Sequence, residues 1–383
     1  MMRIAIVSAC PFPVPQGSQV FLRDTARALQ EHGHEVHLVV YGYGDGEDEG
    51  GLRVHRATSR WPGKLSTRSG PSWSKPLHDR ALVGTLRRVV HSHAIDVVQA
   101  HNYEGLLVAL AARVRPIVYQ AHNAMADELP HYRGFKVIGM PLGAWLDRSF
   151  PRRAAEVIAP HAGLAEYLIA SGCVPGRVSV LAPPALTRWF EPSSPDTALP
   201  PVVYTGNLDA YQNILFLEHV MARVREAEPG ARLLLATRDP LPFPGAEIVP
   251  AAHFDSLRAL LAQDAVIVCP RVSWSGYPIK LLNAMAAGKA IVACRGAAHP
   301  LEHERSGLIV DDNDEVAFAD AIVRLLRSPE ERARLGDAAR EAVDAHHSPR
   351  AFANTLERVF TRALVHHAVR HGRSPVRGEA PSA

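Results

Sequence analysis

The first forty residues hold the feature that most limits the fold: a strand, a loop, a helix and a second strand in close succession. Ile4-Ala5-Ile6-Val7 is an unbroken apolar run of the length of a buried strand. The loop Pro11-Phe12-Pro13-Val14-Pro15-Gln16-Gly17-Ser18 is rich in residues that interrupt regular structure. Leu22, Ala26 and Leu29 then recur at helical spacing, Gly33 stops that helix, and Glu35-Val36-His37-Leu38-Val39-Val40 reads as the second strand. Elements joined this closely make a βαβ unit, which implies a parallel sheet.

The pattern starts again in the second half. Val202-Val203-Tyr204-Thr205, Arg232 to Thr237, Ala246 to Pro250 and Ala265 to Pro270 are apolar strands, and Leu257, Leu260 and Leu261 mark a helix face between the last two. The 383 residues suffice for two domains of ordinary size. The division predicted is residues 1–190, a Pro- and Ser-rich linker at 191–200, and residues 201–349. A helix at 350–370 and a disordered tail at 371–383 complete the chain. The fold class predicted is α/β, with two Rossmann-like, doubly wound parallel-sheet domains.

In such sheets ligands bind beyond the carboxyl ends of the strands. The loop with Gln16, Gly17 and Ser18 lies there, although Gly17 also reads as a simple turn into a helix. The strands Ile95 to His101 and Pro116 to Asn123 carry His101 and His122 to the same edge. Histidines at strand ends are more often structural than functional. No GxGxxG follows the first strand, which weighs against a dinucleotide-dependent enzyme.

The stretch Ser275 to Ala293 reads as loop, short helix and buried strand. Gly276 permits a close turn, Pro278 suits the first helical turn, and Gly288 suits a left-handed cap. Free N–H groups and the dipole at such a helix start favour an anion. Lys280 stands in that turn and Asn283 lies three residues on, so both can face one ligand: a phosphate at the helix start and a sugar hydroxyl near Asn283. The bland alternative is an ordinary helix with Lys280 solvated.

A net charge of +3 leaves no nucleic-acid footprint. Four widely spaced cysteines without a CxxC pair point to reduced thiols. Among the twenty histidines, His91-Ser92-His93 and His346-His347 lack a third partner at ligand spacing, so no metal site is expected. No leader and no run of the ~20 residues needed to span a bilayer is visible, which predicts a cytoplasmic protein. Arg133 to Leu146 mixes basic and apolar groups, as a membrane-facing surface or a helix packed on the sheet would.

The helical stretch also resembles the nucleotide-sugar site of the retaining glycosyltransferases of family 4, whose motif is a Glu, seven residues, a second Glu, then Ala-Met-Ala-x-Gly. Ala284-Met285-Ala286-Ala287-Gly288 matches it, with Ser275 and Asn283 at the two glutamate positions. Gly276 to Lys280 matches a Gly-x-x-x-Lys spacing found in some branches, and Leu29 to Val36 matches a Leu-x-x-x-Gly-His-x-Val signature. Thr205 to Asn213 resembles a Gly-x-x-Asp-Tyr-x-Pro-Asn segment that carries Asn207 and Gln212 in place of the usual Arg and Lys.

The resemblance implies a GT-B fold, its two domains facing across a cleft, with the C-terminal helix crossing back to the first. It implies retaining transfer from a nucleotide diphosphate sugar without metal or cofactor, to a small-molecule, glycan or lipid-linked acceptor. The donor would meet Gly206, Asn207, Arg238, Arg271, Ser275, Gly276, Tyr277, Pro278, Ile279, Lys280 and Asn283. His122 corresponds to the active-site histidine, and Gln16, Gly17, Ser18 and His101 would line the acceptor or phosphate side. Peripheral contact with the inner face of a membrane would accompany a lipid-linked acceptor. Two rival functions are a site-degenerate binding or regulatory protein, which would explain Ser275, Asn283, Asn207 and Gln212 together, and a sugar-nucleotide epimerase on the same fold.

Overall fold

The computed structural model describes residues 1–13, 17–43, 51–58, 75–132, 134–191, 199–237, 242–251 and 254–370. Gln16 and Arg238, the acidic loop, most of the basic segment at 60–75, the linker and the C-terminal tail lie outside the described residues. The first domain holds strands β1 (Arg3–Ser8), β2 (Glu35–Tyr41), β3 (Arg53–Ala57), β4 (Val97–His101), β5 (Ile117–Gln120), β6 (Glu156–Ala159) and β7 (Val178–Val180). Its helices are α1 (Gly17–Glu31), α2 (Lys75–Ser92), α3 (Asn102–Ala112), α4 (Met125–Glu128), α5 (Gly139–Ser149) and α6 (Ala162–Ala170). The second domain holds β8 (Val202–Thr205), β9 (Leu233–Thr237), β10 (Ala246–Pro250), β11 (Val266–Cys269), β12 (Ala290–Cys294) and β13 (Leu308–Val310). Its helices are α7 (Ile214–Ala227), α8 (Phe254–Leu261), α9 (Ile279–Ala286), α10 (Glu315–Arg327) and α11 (Pro329–His346), and α12 (Pro349–Arg370) ends the described chain.

The sheets run β3-β2-β1-β4-β5-β6-β7 and β10-β9-β8-β11-β12-β13, with parallel pairing between neighbours. The order reverses at β1/β4 and at β8/β11, and a crevice opens beyond the strand ends at such a point. Both central strands are buried on both faces, which is why Ile4 to Val7 and Val202 to Tyr204 are apolar without alternation. The connection rule does the rest: each right-handed crossover lays a helix back on the sheet.

Several sequence boundaries move. β4 starts at Val97, because Asp96 turns its carboxylate back to the Arg3 backbone N–H at 2.7 Å. β5 ends at Gln120, so His122 stands beyond the strand rather than on it. Pro278 takes the N-cap position of α9, one residue ahead of the first turn. Gly288 does adopt the left-handed conformation that ends α9, at φ +67°.

α12 lies on the first sheet. Phe352, Ala353, Leu356, Val359, Phe360 and Ala363 recur at helical spacing and bury against Ile4, Ile6, Leu22 and Ile158. Each large apolar side chain buried there contributes about 1.5–3 kcal/mol. Arg362 adds a fork onto Oε2 of the fully buried Glu156, with Nε at 3.1 Å and Nη2 at 3.0 Å.

α5 packs against α4 through Gly143 and Asp147 and against the following turn at Leu129 and Pro130 through Gly139, and leaves Val137, Ile138, Met140 and Trp145 exposed around its outer side. Among the described residues no helix is long and apolar enough to cross a membrane. A Cβ on Gly143 would overlap the Met125 carbonyl and the Ala126 nitrogen, both backbone. Gly143→Ala should therefore destabilise the protein by roughly 1–3 kcal/mol, against the gain in helix propensity. The Tm in a thermal melt should fall on the order of 5 °C. A raised Tm would show that the α4–α5 contact relaxes freely.

Candidate functional site

The first wall of the crevice comes from the ends of β4 and β5. His101 is fully buried, and its Nδ1 lies 3.2 Å from Nε2 of His122. Phe21 of α1 covers both rings, with centroids 5.5 Å from His101 and 5.1 Å from His122. Burial drives the His101 pKa well below its ordinary value and that of His122 down to about 3. Both rings are neutral near pH 7, so one donates its N–H to the other. His122 is thus suited to hydrogen bonding with a hydroxyl and not to acting as an imidazolium acid. Gly17 begins α1, and a Cβ there would meet Ile279 of the second domain at 3.6 Å. Ser18 beside it is exposed.

The turn after His122 is built with care for its polar groups. The Asp147 carboxylate, buried under α5, accepts the Met125 and Ala126 N–H groups at 3.0 Å each and the Tyr167 hydroxyl at 3.0 Å. α4 held this way presents Asp127 to the other domain. Asp127 Oδ2 accepts the Ser273 hydroxyl at 2.7 Å, the Ser275 hydroxyl at 2.6 Å and the Ser275 N–H at 3.1 Å. His161 adds a second bridge. Its Nδ1 accepts the Leu164 N–H, so Nε2 carries the proton and donates to the Ser275 carbonyl at 3.1 Å. Glu128 accepts bonds from Asn123 and Tyr132. Burial and the Glu104 charge raise its pKa, while those bonds and Arg271 oppose the rise.

The second wall lies beyond β8 and β11. Gly206 follows β8 at φ +131°, a backbone that favours glycine, and a Cβ there would lie in ordinary contact with the Tyr204 hydroxyl and Lys280. Its N–H donates to the Ala236 carbonyl at 2.9 Å, so that group is already engaged within the sheet edge. Asn207 binds its own loop: it donates to Asp209 at 2.6 Å and Tyr211 at 3.0 Å and accepts from Gln212 at 3.0 Å. Asn213 occupies the N-cap position of α7 in a left-handed conformation, yet its side chain makes no cap bond. It donates instead to the Pro270 carbonyl and to Asn313.

Lys280 projects from the first turn of α9 to the Tyr204 hydroxyl at 3.1 Å and to the Gln212 side-chain oxygen, with its ammonium 4.3 Å from the Tyr204 ring centre. These partners are neutral. Burial brings its pKa down to about 8, the nearby Arg271 charge adding to the fall and Cys269 opposing it. Arg271 packs on Gly276, donates to Ser273 at 3.0 Å and lies over the Tyr211 ring. Its Nε is buried without a hydrogen-bond partner among the described residues. In the first turn of α9 the Ile279, Leu281 and Leu282 N–H groups bond Tyr277 and Pro278, and among the described residues the Lys280 N–H has no backbone partner. Asn283 is part-exposed one turn on.

The structure therefore gathers Lys280, Arg271, Gly276, Gly206 and Asn207 on one wall, and His122 with His101 on the other. Ser275 is fully buried and faces Asp127, and the Tyr277 hydroxyl lies 3.4 Å from His347 Nε2, beside the crossover into α12. Sequence inspection assigned no role to Asp127, His161 or Tyr204. Asp127 and His161 find their partners across the domain boundary, and Tyr204 meets Lys280 of α9 far along the chain, where no local pattern reaches.

Residues 16–184 match the model of the glycosyl transferase 4-like domain, and residues 200–328 that of the glycosyl transferases group 1. A D-inositol 3-phosphate glycosyltransferase of Pseudarthrobacter chlorophenolicus is 24% identical over 93% of this chain and 94% of its own length. Among solved structures, the sucrose-phosphate synthase of Thermosynechococcus elongatus superposes with a TM-score of 0.80 at 18% identity, over 95% of this chain and all of the other. Anabaena HepE, solved in complex with UDP and glucose, superposes with a TM-score of 0.71 at 15% identity, over 94% of this chain and all of its own.

Proposed function

This chain is a two-domain GT-B glycosyltransferase, and from that premise we propose that it transfers a sugar from a nucleotide diphosphate sugar to an acceptor hydroxyl with retention of configuration. The observation that carries the proposal is the half-buried Lys280 ammonium, whose hydrogen-bond partners are neutral, beside Arg271 and the free N–H of α9. A half-buried cation pair beside an open helix start favours an anion with several oxygens, which a diphosphate supplies. Asn283, three residues along the same helix, would hydrogen-bond a ribose hydroxyl. The diphosphate charge would be met by these groups without a metal ion.

His122, neutral and held by His101, would hydrogen-bond a hydroxyl of the transferred sugar. In the step proposed, the bond from the sugar anomeric carbon to the leaving phosphate oxygen breaks. The acceptor oxygen bonds the same carbon on the same face, and its proton passes to the leaving phosphate. Catalysis would then rest on positioning and on electrostatic stabilisation of the departing diphosphate. A small-molecule, glycan or lipid-linked acceptor would approach from the first domain, and a lipid-linked one would give the exposed Val137, Ile138, Met140 and Trp145 a role at a membrane surface.

Calorimetric titration with UDP, GDP, ADP and dTDP tests the donor side. One of them should bind in the micromolar range, about −8 kcal/mol. UDP is the first to try, since HepE holds it. No binding below millimolar would favour the degenerate-site alternative, in which Ser275, Asn207 and Gln212 serve only the internal bonds seen here.

A further inference from the structure

His37, His55 and His93 lie outside the crevice and belong to no role described above. We propose that they form a zinc-binding site that ties β2, β3 and the end of α2 together at the opposite end of the strands from the crevice.

The placement follows from strand periodicity. Residues two apart on a strand share a face. His37 shares its face with Val39 and Tyr41, and His55 with Ala57, and these three neighbours bury in the core under α2 with Leu82, Leu86 and Val89. The pairing of β2 with β3 sets His37 against Arg53 and Val39 against His55, so the two imidazoles are diagonal neighbours. α2 ends just above them. Ala94 turns left-handed at φ +47°, and the Ile95 N–H returns to the Val90 carbonyl at 3.1 Å, which fixes the backbone of His93. The sequence expectation that His93 lacks partners fails because both partners are more than thirty residues away, on strands.

One ring nitrogen from each histidine can be chosen so that all three lie within 4.8 Å of one another. His37 Nδ1 is 2.9 Å from His55 Nε2, and the His93 ring centre is 4.3 Å from that of His37 and 5.2 Å from that of His55. Zinc binds imidazole nitrogen at about 2.0–2.1 Å, so small rotations of the part-exposed His55 and His93 would close the set. His37 is fully buried and its Nε2 faces Glu35 Oε1 at 3.3 Å. That N–H to carboxylate bond leaves Nδ1 as the lone-pair nitrogen turned into the cluster, the arrangement a metal-ligating histidine has. Glu35 in turn pairs with Arg53, which keeps the arginine charge engaged.

A second group, His32, His34 and Glu357, is a poorer candidate. His34 Nδ1 there already accepts the Met2 N–H at 3.2 Å. Three neutral imidazoles with an open fourth position suit zinc.

The test uses the full chain, stripped of metal by a chelator and titrated with Zn²⁺ against a chromophoric chelator. One equivalent should bind. His55→Gln and His93→Gln should each weaken it by about 100-fold, Glu35→Gln by about 10–100-fold, and His34→Gln not at all. Co²⁺ on the unaltered chain should give the visible bands of a four-coordinate nitrogen site, a readout that needs no variant. Zn²⁺ should raise the Tm of the unaltered chain and of His34→Gln equally, and that of the three weakened variants less. Absence of saturable binding overturns the proposal. So does binding that survives both His55→Gln and His93→Gln, or that is lost in His34→Gln.

Discussion

Lys280→Ala should lower affinity for the nucleotide diphosphate by about 10–100-fold, the loss of one charge-assisted hydrogen bond of about 1.5–3 kcal/mol. The effect is large because little else can compensate. Asn207 and Gln212 stand where two cations would help, and both amides are engaged within their loop. Calorimetry on the variant with whichever nucleotide binds the parent checks this. Equal affinity would remove Lys280 from the site. Stability should move differently. The Lys280 pKa of about 8 lies below its ordinary 10.5. Between those values the unfolded chain holds more protons, so the free protein gains stability as pH rises through the window, and the penalty of the buried charge is complete below it. Lys289, also brought down to about 8 by burial, contributes in the same direction, so the comparison with Lys280→Ala isolates one group. Donor affinity should run the other way and fall as pH rises past 8, because the ammonium is what the phosphate meets.

The parts of the site legible in the sequence are those set by local chemistry. α9 and its Gly288 cap follow from period and backbone freedom within fifteen residues, and Lys280 and Asn283 follow from helical spacing. The two sheets were legible for a similar reason: strands buried on both faces announce themselves as apolar runs. β3 did not, because Arg53-Val54-His55-Arg56-Ala57 is mostly polar, keeps no strict alternation and buries only its last residue. The His101–His122 contact joins two strand ends whose register no single segment encodes. The helix-start anion site was only partly legible, since backbone bonds to Tyr277 and Pro278 occupy three of its N–H groups, those of Ile279, Leu281 and Leu282. The three-histidine cluster shows the limit most plainly: its members are separated by seventeen and thirty-seven intervening residues, and only sheet pairing and the end of α2 bring them together.

Asp127→Ala should be the most damaging substitution that touches no substrate. Asp127 Oδ2 accepts three bonds from Ser273 and Ser275, and Ser275 is fully buried. Without the carboxylate, these donors are left unpaired while the domains stay together, at about 1–3 kcal/mol for each orphaned group. If the domains part, water satisfies them. The penalty therefore falls on the bridged arrangement alone and shifts the population toward an open one. His122 lies a few residues before Asp127, and Lys280 a few after Ser275, so the same bonds set how the two walls of the crevice meet. Turnover should fall by about tenfold or more, with nucleotide affinity, which depends on the second wall, little changed. Small-angle scattering should show a larger radius of gyration. Asp127→Asn keeps an acceptor oxygen without its charge and should recover part of both. Full turnover and an unchanged radius in Asp127→Ala would mean that His161, through its bond to the Ser275 carbonyl, holds the domains without help.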